Sequence, residues 1–154
     1  MMHTKILVPL DGSEVSEKAL EQARKMAYSD KVEVRLLVAW EPSAPFSPPP
    51  GSPDFNNIKD YYHHYLQEWS NKLTLDGVRA SQVLVEGKAE AAILGVAREE
   101  GVDLIVMTSH GRSGLKRLVL GSVAEHVVRE APCPVLVLGH EYLNSMSRDS
   151  LDTP

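Results

Sequence analysis

The sequence predicts an α/β domain built on an open five-stranded parallel sheet with helices on both faces. Two observations predict it. Short runs rich in branched apolar residues recur five times along the 154 residues, separated by stretches whose apolar residues fall three or four apart, the alternation expected of consecutive βαβ units. Several of these runs are apolar throughout, as strands covered on both faces must be. Gly77, Gly87, Gly101 and Gly139 punctuate the joints.

The elements follow in order. "KILVPL" at 5–10 reads as a buried strand that ends in the Asp11-Gly12 turn. From Ser13, a candidate N-cap, Val15, Ala19, Leu20, Ala23 and Met26 mark one face of a helix. "VEVRLLVAW" at 32–40 is the second strand. Six prolines between 42 and 53 remove backbone donors and predict a surface loop or flap. Helical spacing returns over 54–76 through Ile58, Tyr61, Tyr65, Leu66, Trp69 and Leu73, with rings such as Tyr62 expected at the surface. "SQVLVEG" is strand three, "AEAAILGVAREEG" helix three and "VDLIVMTSHG" strand four; helix four starts near Ser122, and "PVLVLG" at 134–139 is strand five. Residues 1–140 are expected to form one domain, and 141–154 a polar tail that is disordered in part.

Composition narrows the function. A formal net charge of −5 argues against a general nucleic-acid binder, which needs a basic footprint. No apolar run approaches the roughly 18 residues of a membrane span, so no membrane partner is expected. The opening "MMHTKILVPLDG" meets an acid and a glycine too early for a secretory signal. With one cysteine, Cys133, there is neither an internal disulfide nor a cysteine-based zinc site. These features predict a cytoplasmic protein. His63 and His64 are neighbours on a helix and point apart, so they are not read as a metal pair.

In open α/β sheets ligands bind beyond the carboxyl ends of the strands. That rule selects Pro9-Leu10-Asp11-Gly12, Ala39-Trp40, Glu86-Gly87 and the stretch from Ser109 to Ser122. Gly111 and Gly114 let backbone approach a ligand closely. Ser122 and Glu125 have the spacing of a capping box, which would start a helix with its first amides in the crevice. A helix N-terminus favours anions, and His110, Arg112, Lys116 and Arg117 are close in sequence. The convergence points to phosphate. Asp11 suits ribose hydroxyls, a divalent cation or the turn itself, and the Val38-Ala39 edge offers a place for adenine.

The stretches "KILVPLDGSEVSEKAL" and "GVDLIVMTSHGRSGLKRLVLGSVAEHVVREAPCPVLVL", with the order of elements between them, resemble the universal stress protein family in its nucleotide-binding form. The family motif is Gly-x-x-Gly, nine residues, then Gly followed by Ser or Thr. Gly111, the nine residues "RSGLKRLVL" and Gly121-Ser122 match it, while Thr108 stands at the first glycine, where its hydroxyl could act as a donor. The resemblance implies a Rossmann-like fold of the adenine nucleotide alpha hydrolase kind, a stress-response role, and ATP, AMP or ADP as ligand. It puts ribose at Asp11 and adenine at the Ala39 backbone. Gly111, Arg112, Gly121, Ser122 and Val123 would surround the phosphates; Gly114, inside the nine-residue spacer, is an extra glycine, and Pro9, Leu10, Met107, Thr108 and His110 complete the candidate site. Magnesium or manganese would be held through the phosphates, with Asp11 the one side chain able to assist. The resemblance also implies a homodimer paired through the strand at 134–139; the sequence identifies no protein partner.

Three kinds of function follow from this reading. The first is a nucleotide-responsive stress regulator, the second a slow ATP hydrolase or adenylyl- or phosphoryl-transfer enzyme, the third a dimeric interaction module without nucleotide. The Walker pattern is absent, as are the Ser-Gly-Gly-x-Asp-Ser and His-x-Gly-His signatures of other adenylate-forming enzymes. No catalytic set is assigned, which favours the first.

Overall fold

The structure, a computed structural model, describes residues 4–110 and 120–149. Its elements run β1 (Thr4–Leu10), α1 (Glu14–Met26), β2 (Val32–Trp40), α2 (Ile58–Leu75), β3 (Arg79–Glu86), α3 (Ala89–Glu99), β4 (Leu104–Thr108), α4 (Ser122–Glu130), β5 (Val135–Leu138) and α5 (His140–Asp149). The five strands form one sheet in the order β3-β2-β1-β4-β5, and every adjacent pair is parallel. The winding therefore reverses between β1 and β4, and the chain leaves these two neighbours toward opposite faces.

Alternation along the strands builds two cores. Ile6, Val8 and Leu10 of β1 and Val34, Leu36 and Val38 of β2 face α1, α2 and α5, where Leu20, Leu66 and Leu143 meet them. Leu7, Leu37, Ile105 and Met107 face the other way, onto Ile93 and Val96 of α3 and Val127 of α4. Both faces are thus covered, which explains why the central strands are apolar at nearly every position. Arg35 interrupts β2 on the second face and is satisfied there: its guanidinium makes two bonds to Glu100, at 3.0 and 2.8 Å, and one to the Gln82 carbonyl at 2.8 Å.

The structure differs from the sequence reading in two elements. Residues 140–149 form helix α5 instead of the start of a polar tail, because Leu143 fills the first core, at 3 % exposure, with Met146 packed beside it. Lys18 Nζ donates to the Leu143 carbonyl, and Tyr142 Oη donates to Gln22, so α5 is tied to α1 by polar contacts as well. Tyr62, expected at the surface, is 6 % exposed and donates its hydroxyl to the Asp11 carbonyl. No helix among the described residues is long and apolar enough to cross a membrane.

Between α1 and α2 the Tyr65 hydroxyl donates to Glu17 Oε2 at 2.8 Å. Burial, first, and the Glu17 carboxylate push the Tyr65 phenol far above its ordinary value. Burial also raises Glu17, with Glu14 and Asp11 adding to the shift and the Tyr65 bond and Lys72 opposing it. The folded state therefore holds the Glu17 proton more tightly than the unfolded chain, so this group's stabilisation is complete at low pH and lost as pH rises through its raised value. Glu17→Gln keeps an acceptor for Tyr65 and removes the titration. Urea midpoints of variant and wild type should then diverge in favour of the variant as pH rises from about 4 to about 7; a difference independent of pH would contradict the assignment.

Candidate functional site

The reversal between β1 and β4 opens a crevice at their carboxyl ends, the position where doubly wound sheets bind ligands. A cleft of about 150 Å³ occupies it. Pro9, Leu10 and Asp11 form its β1 side, Met107, Thr108 and His110 its β4 side, and Gly121, Ser122 and Val123 its far wall. Ala39 lies instead in an adjoining chamber of about 460 Å³, with Trp40, Gly87, Phe46 and the rings of Tyr61 and Tyr62. Ala89 at the start of α3 borders both. Gly111, Arg112 and Gly114 lie outside the described residues, as do Lys116 and Arg117.

The β1 side is set by a tight turn. Gly12 has φ of 86°, a conformation that side chains disfavour. Asp11 Oδ1 accepts from the Ser13 amide at 2.9 Å and from the Ser13 hydroxyl, so the Asp11 carboxylate braces the turn that starts α1. Ser13 caps that helix, accepting from Ser16 N at 3.2 Å. Ser16, buried in the first turn, accepts from the Asp11 amide at 3.3 Å and faces the cleft.

The β4 side ends in hydrogen bonds that use up its hydroxyls. Thr108 Oγ1 donates to the His110 carbonyl at 2.8 Å, which removes the donor role considered for it at the first motif position. Ser109 N bonds the Leu138 carbonyl at 3.1 Å, and Ser109 Oγ lies 3.0 Å from His110 Nδ1. The far wall is the start of α4. Here the cap is Gly121, with φ −61° and ψ 159°, and no side chain caps the helix; the expected Ser122–Glu125 capping box does not form. The Gly121 amide donates to Ser109 O at 2.7 Å, a tertiary bond that fixes the cap one residue earlier. Ser122, Val123 and Ala124 are left with first-turn amides that have no partner within the helix, and all three residues line the cleft.

Ser16, Ala89, Ile93 and Ala124 also line the cleft and were not singled out from sequence, and Ser109, which opens the selected stretch after β4, lines it too. Ala89 follows the carboxyl end of β3, so the rule that selected Glu86-Gly87 would have reached it two residues on. Nothing local marks Ser16, which enters through the helical turn. Among the described residues no group of three or more His, Cys, Asp or Glu is arranged to hold a metal ion.

The glycine at 121 has a packing reason of its own. A Cβ there would stand 3.0 Å from Ser109 O and 3.5 Å from His110 Cα, closer than carbon normally approaches a backbone oxygen. Gly121→Ala should lower stability by about 1–3 kcal/mol in denaturant unfolding, and an unchanged midpoint would show that α4 shifts freely at this joint.

Comparison with known proteins gives one family. The model described as "Universal stress protein family" matches residues 2–139. The chain is 35% identical to the universal stress protein YxiE of Bacillus subtilis, over 89% of this chain and 99% of that one. Among solved structures it is similar to a universal stress protein in complex with cAMP (TM-score 0.67, 22% identity, 90% of this chain and 98% of the other). It is also similar to a family protein from Arabidopsis thaliana with AMP bound (TM-score 0.62, 19% identity, 88% and 90%). At these identities the two structures speak for the fold, while the matched family model and the Bacillus relative span nearly the whole domain: the chain belongs to the universal stress protein family.

Proposed function

We propose that the protein binds an adenine nucleotide, ATP or its AMP and ADP forms, and serves in the cytoplasm as a nucleotide-responsive regulator of a stress response. One observation carries the reading: the start of α4, without a side-chain cap, opens its first amides onto a cleft at the point where the sheet reverses. Such amides and the helix dipole favour phosphate. The adenine ring would enter the chamber at Ala39, and ribose would meet Asp11. The phosphates would lie on Gly121, Ser122 and Val123, with Gly111 of the matching motif, Arg112 and the spacer glycine Gly114 joining them. The bound AMP and cAMP of the two related proteins support this choice of ligand.

Size is consistent with it. Pockets for ligands of this kind run to about 300–1,000 Å³, so the cleft alone is too small and needs the chamber beside it. A magnesium or manganese ion would be held chiefly by the phosphates and water, with Asp11 the candidate carboxylate. We assign no catalytic residue, and any ATP turnover would be slow.

Dimerisation through β5 is part of the proposal. The strand is at the sheet edge, and its Leu136 (36 %) and Val128 of α4 (47 %) are exposed. An uncovered apolar edge favours pairing with a second copy.

Thermal unfolding with added AMP or ATP and magnesium tests the ligand. At about 100 times the dissociation constant the fold should gain roughly 2.7 kcal/mol, a rise in Tm of several degrees. No rise with either nucleotide at millimolar concentration would remove nucleotide binding and leave the interaction module as the better reading.

A further inference from the structure

The carboxyl ends of the strands form a row in the order β3-β2-β1-β4-β5, with neighbours about 4.8 Å apart. Resting on the nucleotide reading above, the ligand follows that row, with adenine at the end of β2, ribose at β1 and the first phosphate at β4. The next position is β5. It ends at Leu138, and after Gly139 helix α5 begins with His140. The His140 ring packs against His110, which lines the cleft, with centroids 6.0 Å apart and planes inclined by 39°. His140 lies one residue beyond the segment that the family model matches.

Hydrogen bonds define the edge that each ring offers. Asn144 Nδ2 lies 3.2 Å from His140 Nε2. With the Asn144 amide group donating, Nε2 accepts and the His140 ring proton is assigned to Nδ1. Ser109 Oγ lies 3.0 Å from His110 Nδ1; with the hydroxyl donating, the His110 proton sits on Nε2. Each imidazole then carries an N–H on the edge away from its own loop or helix partner. Two such donors suit an anion, whereas a metal ion would need ring lone pairs at those edges.

We propose that His140 supplies an imidazole donor to the distal phosphate of a bound nucleoside triphosphate, so that α5 selects ATP over AMP. From the end of β2 to the end of β5 is about 14 Å along the row. The single phosphate of AMP stops at β4, and the two further phosphates of ATP extend toward β5. His110 is near both ligands; His140 is near the longer one alone.

Calorimetric titration of the full chain with AMP and with ATP, both in magnesium, tests this in wild type, His140→Phe and His140→Gln. Phenylalanine keeps a ring against His110 and removes the donor; glutamine keeps a donor. Wild type and His140→Gln should favour ATP over AMP, and His140→Phe should lose about tenfold in ATP affinity, the worth of one hydrogen bond to a charged group, with AMP affinity unchanged. A His140→Phe protein that keeps the wild-type ATP-to-AMP ratio, or loses affinity for both nucleotides equally, overturns the proposal. AMP binding by the wild type separates this failure from a wider one, since only the absence of all nucleotide binding would also remove the reading on which it rests.

Discussion

The bond from the Gly121 amide to the Ser109 carbonyl, 2.7 Å long, is the constraint on which the site depends. It joins the end of β4 to the start of α4. A Cβ at 121 would stand 3.0 Å from the Ser109 oxygen, so a side chain there would press the two backbones apart. Because the two meet, the helix starts at a glycine that offers no capping oxygen, and its first amides face the crevice. A Ser, Thr or Asp cap would have satisfied one of those donors internally. A helix end left uncapped is poorer, locally, than an ordinary one, and in the proposed reading its open donors are what would hold an anion.

The opposite wall reaches a comparable rigidity by different means. Asp11, Ser13 and Ser16 bond one another within six residues, and Gly12 supplies the positive φ that lets the chain turn from β1 into α1. Tyr62 reaches over from α2 to hold the Asp11 carbonyl. Phe46 and Phe55 pack on Tyr61 at 5.4 and 5.5 Å, which anchors the proline-rich segment to the same helix. The turn, α2 and the strap therefore form one wall, with the chamber at Ala39 beneath it. Two walls fixed separately, by a tertiary backbone bond and by a local turn, suit a binding cleft whose amides must be aimed before the ligand arrives.

Much of the fold was legible in the sequence because burial on both faces writes strands as continuous apolar runs. β1, β2 and β4 announce themselves that way, and even β3 and β5 at the edges keep enough branched residues to be read. The spatial rule for open sheets then selected the loops without any structural knowledge, and Asp11, Thr108, His110 and Gly121 do share one cleft. Most of what failed to show depended on contacts distant in sequence. α4 does start at Ser122, but the Ser122–Glu125 spacing only imitates a capping box, and the bond to Ser109 makes Gly121 the cap. Thr108 looks like a spare donor until its hydroxyl is seen to donate to the His110 carbonyl. On α2, helical spacing puts Tyr62 between Trp69 and Leu73 on the apolar face, so the surface reading of this ring overlooked a pattern that placed it inward. α5 has few apolar residues, and Leu143 and Met146, three apart, were its only helical signal; what fixes it is docking on α1.

The central claim is that the first amides of α4 receive the phosphate of a nucleotide. An amide-correlation NMR titration of the isotope-labelled chain with AMP addresses it most directly, because it reports each amide by residue. The account predicts that the resonances of Ser122 and Val123 move most, saturating together with those of Asp11 and Ala39. Saturating shifts confined to other parts of the molecule, with the α4 amides unmoved, would contradict it.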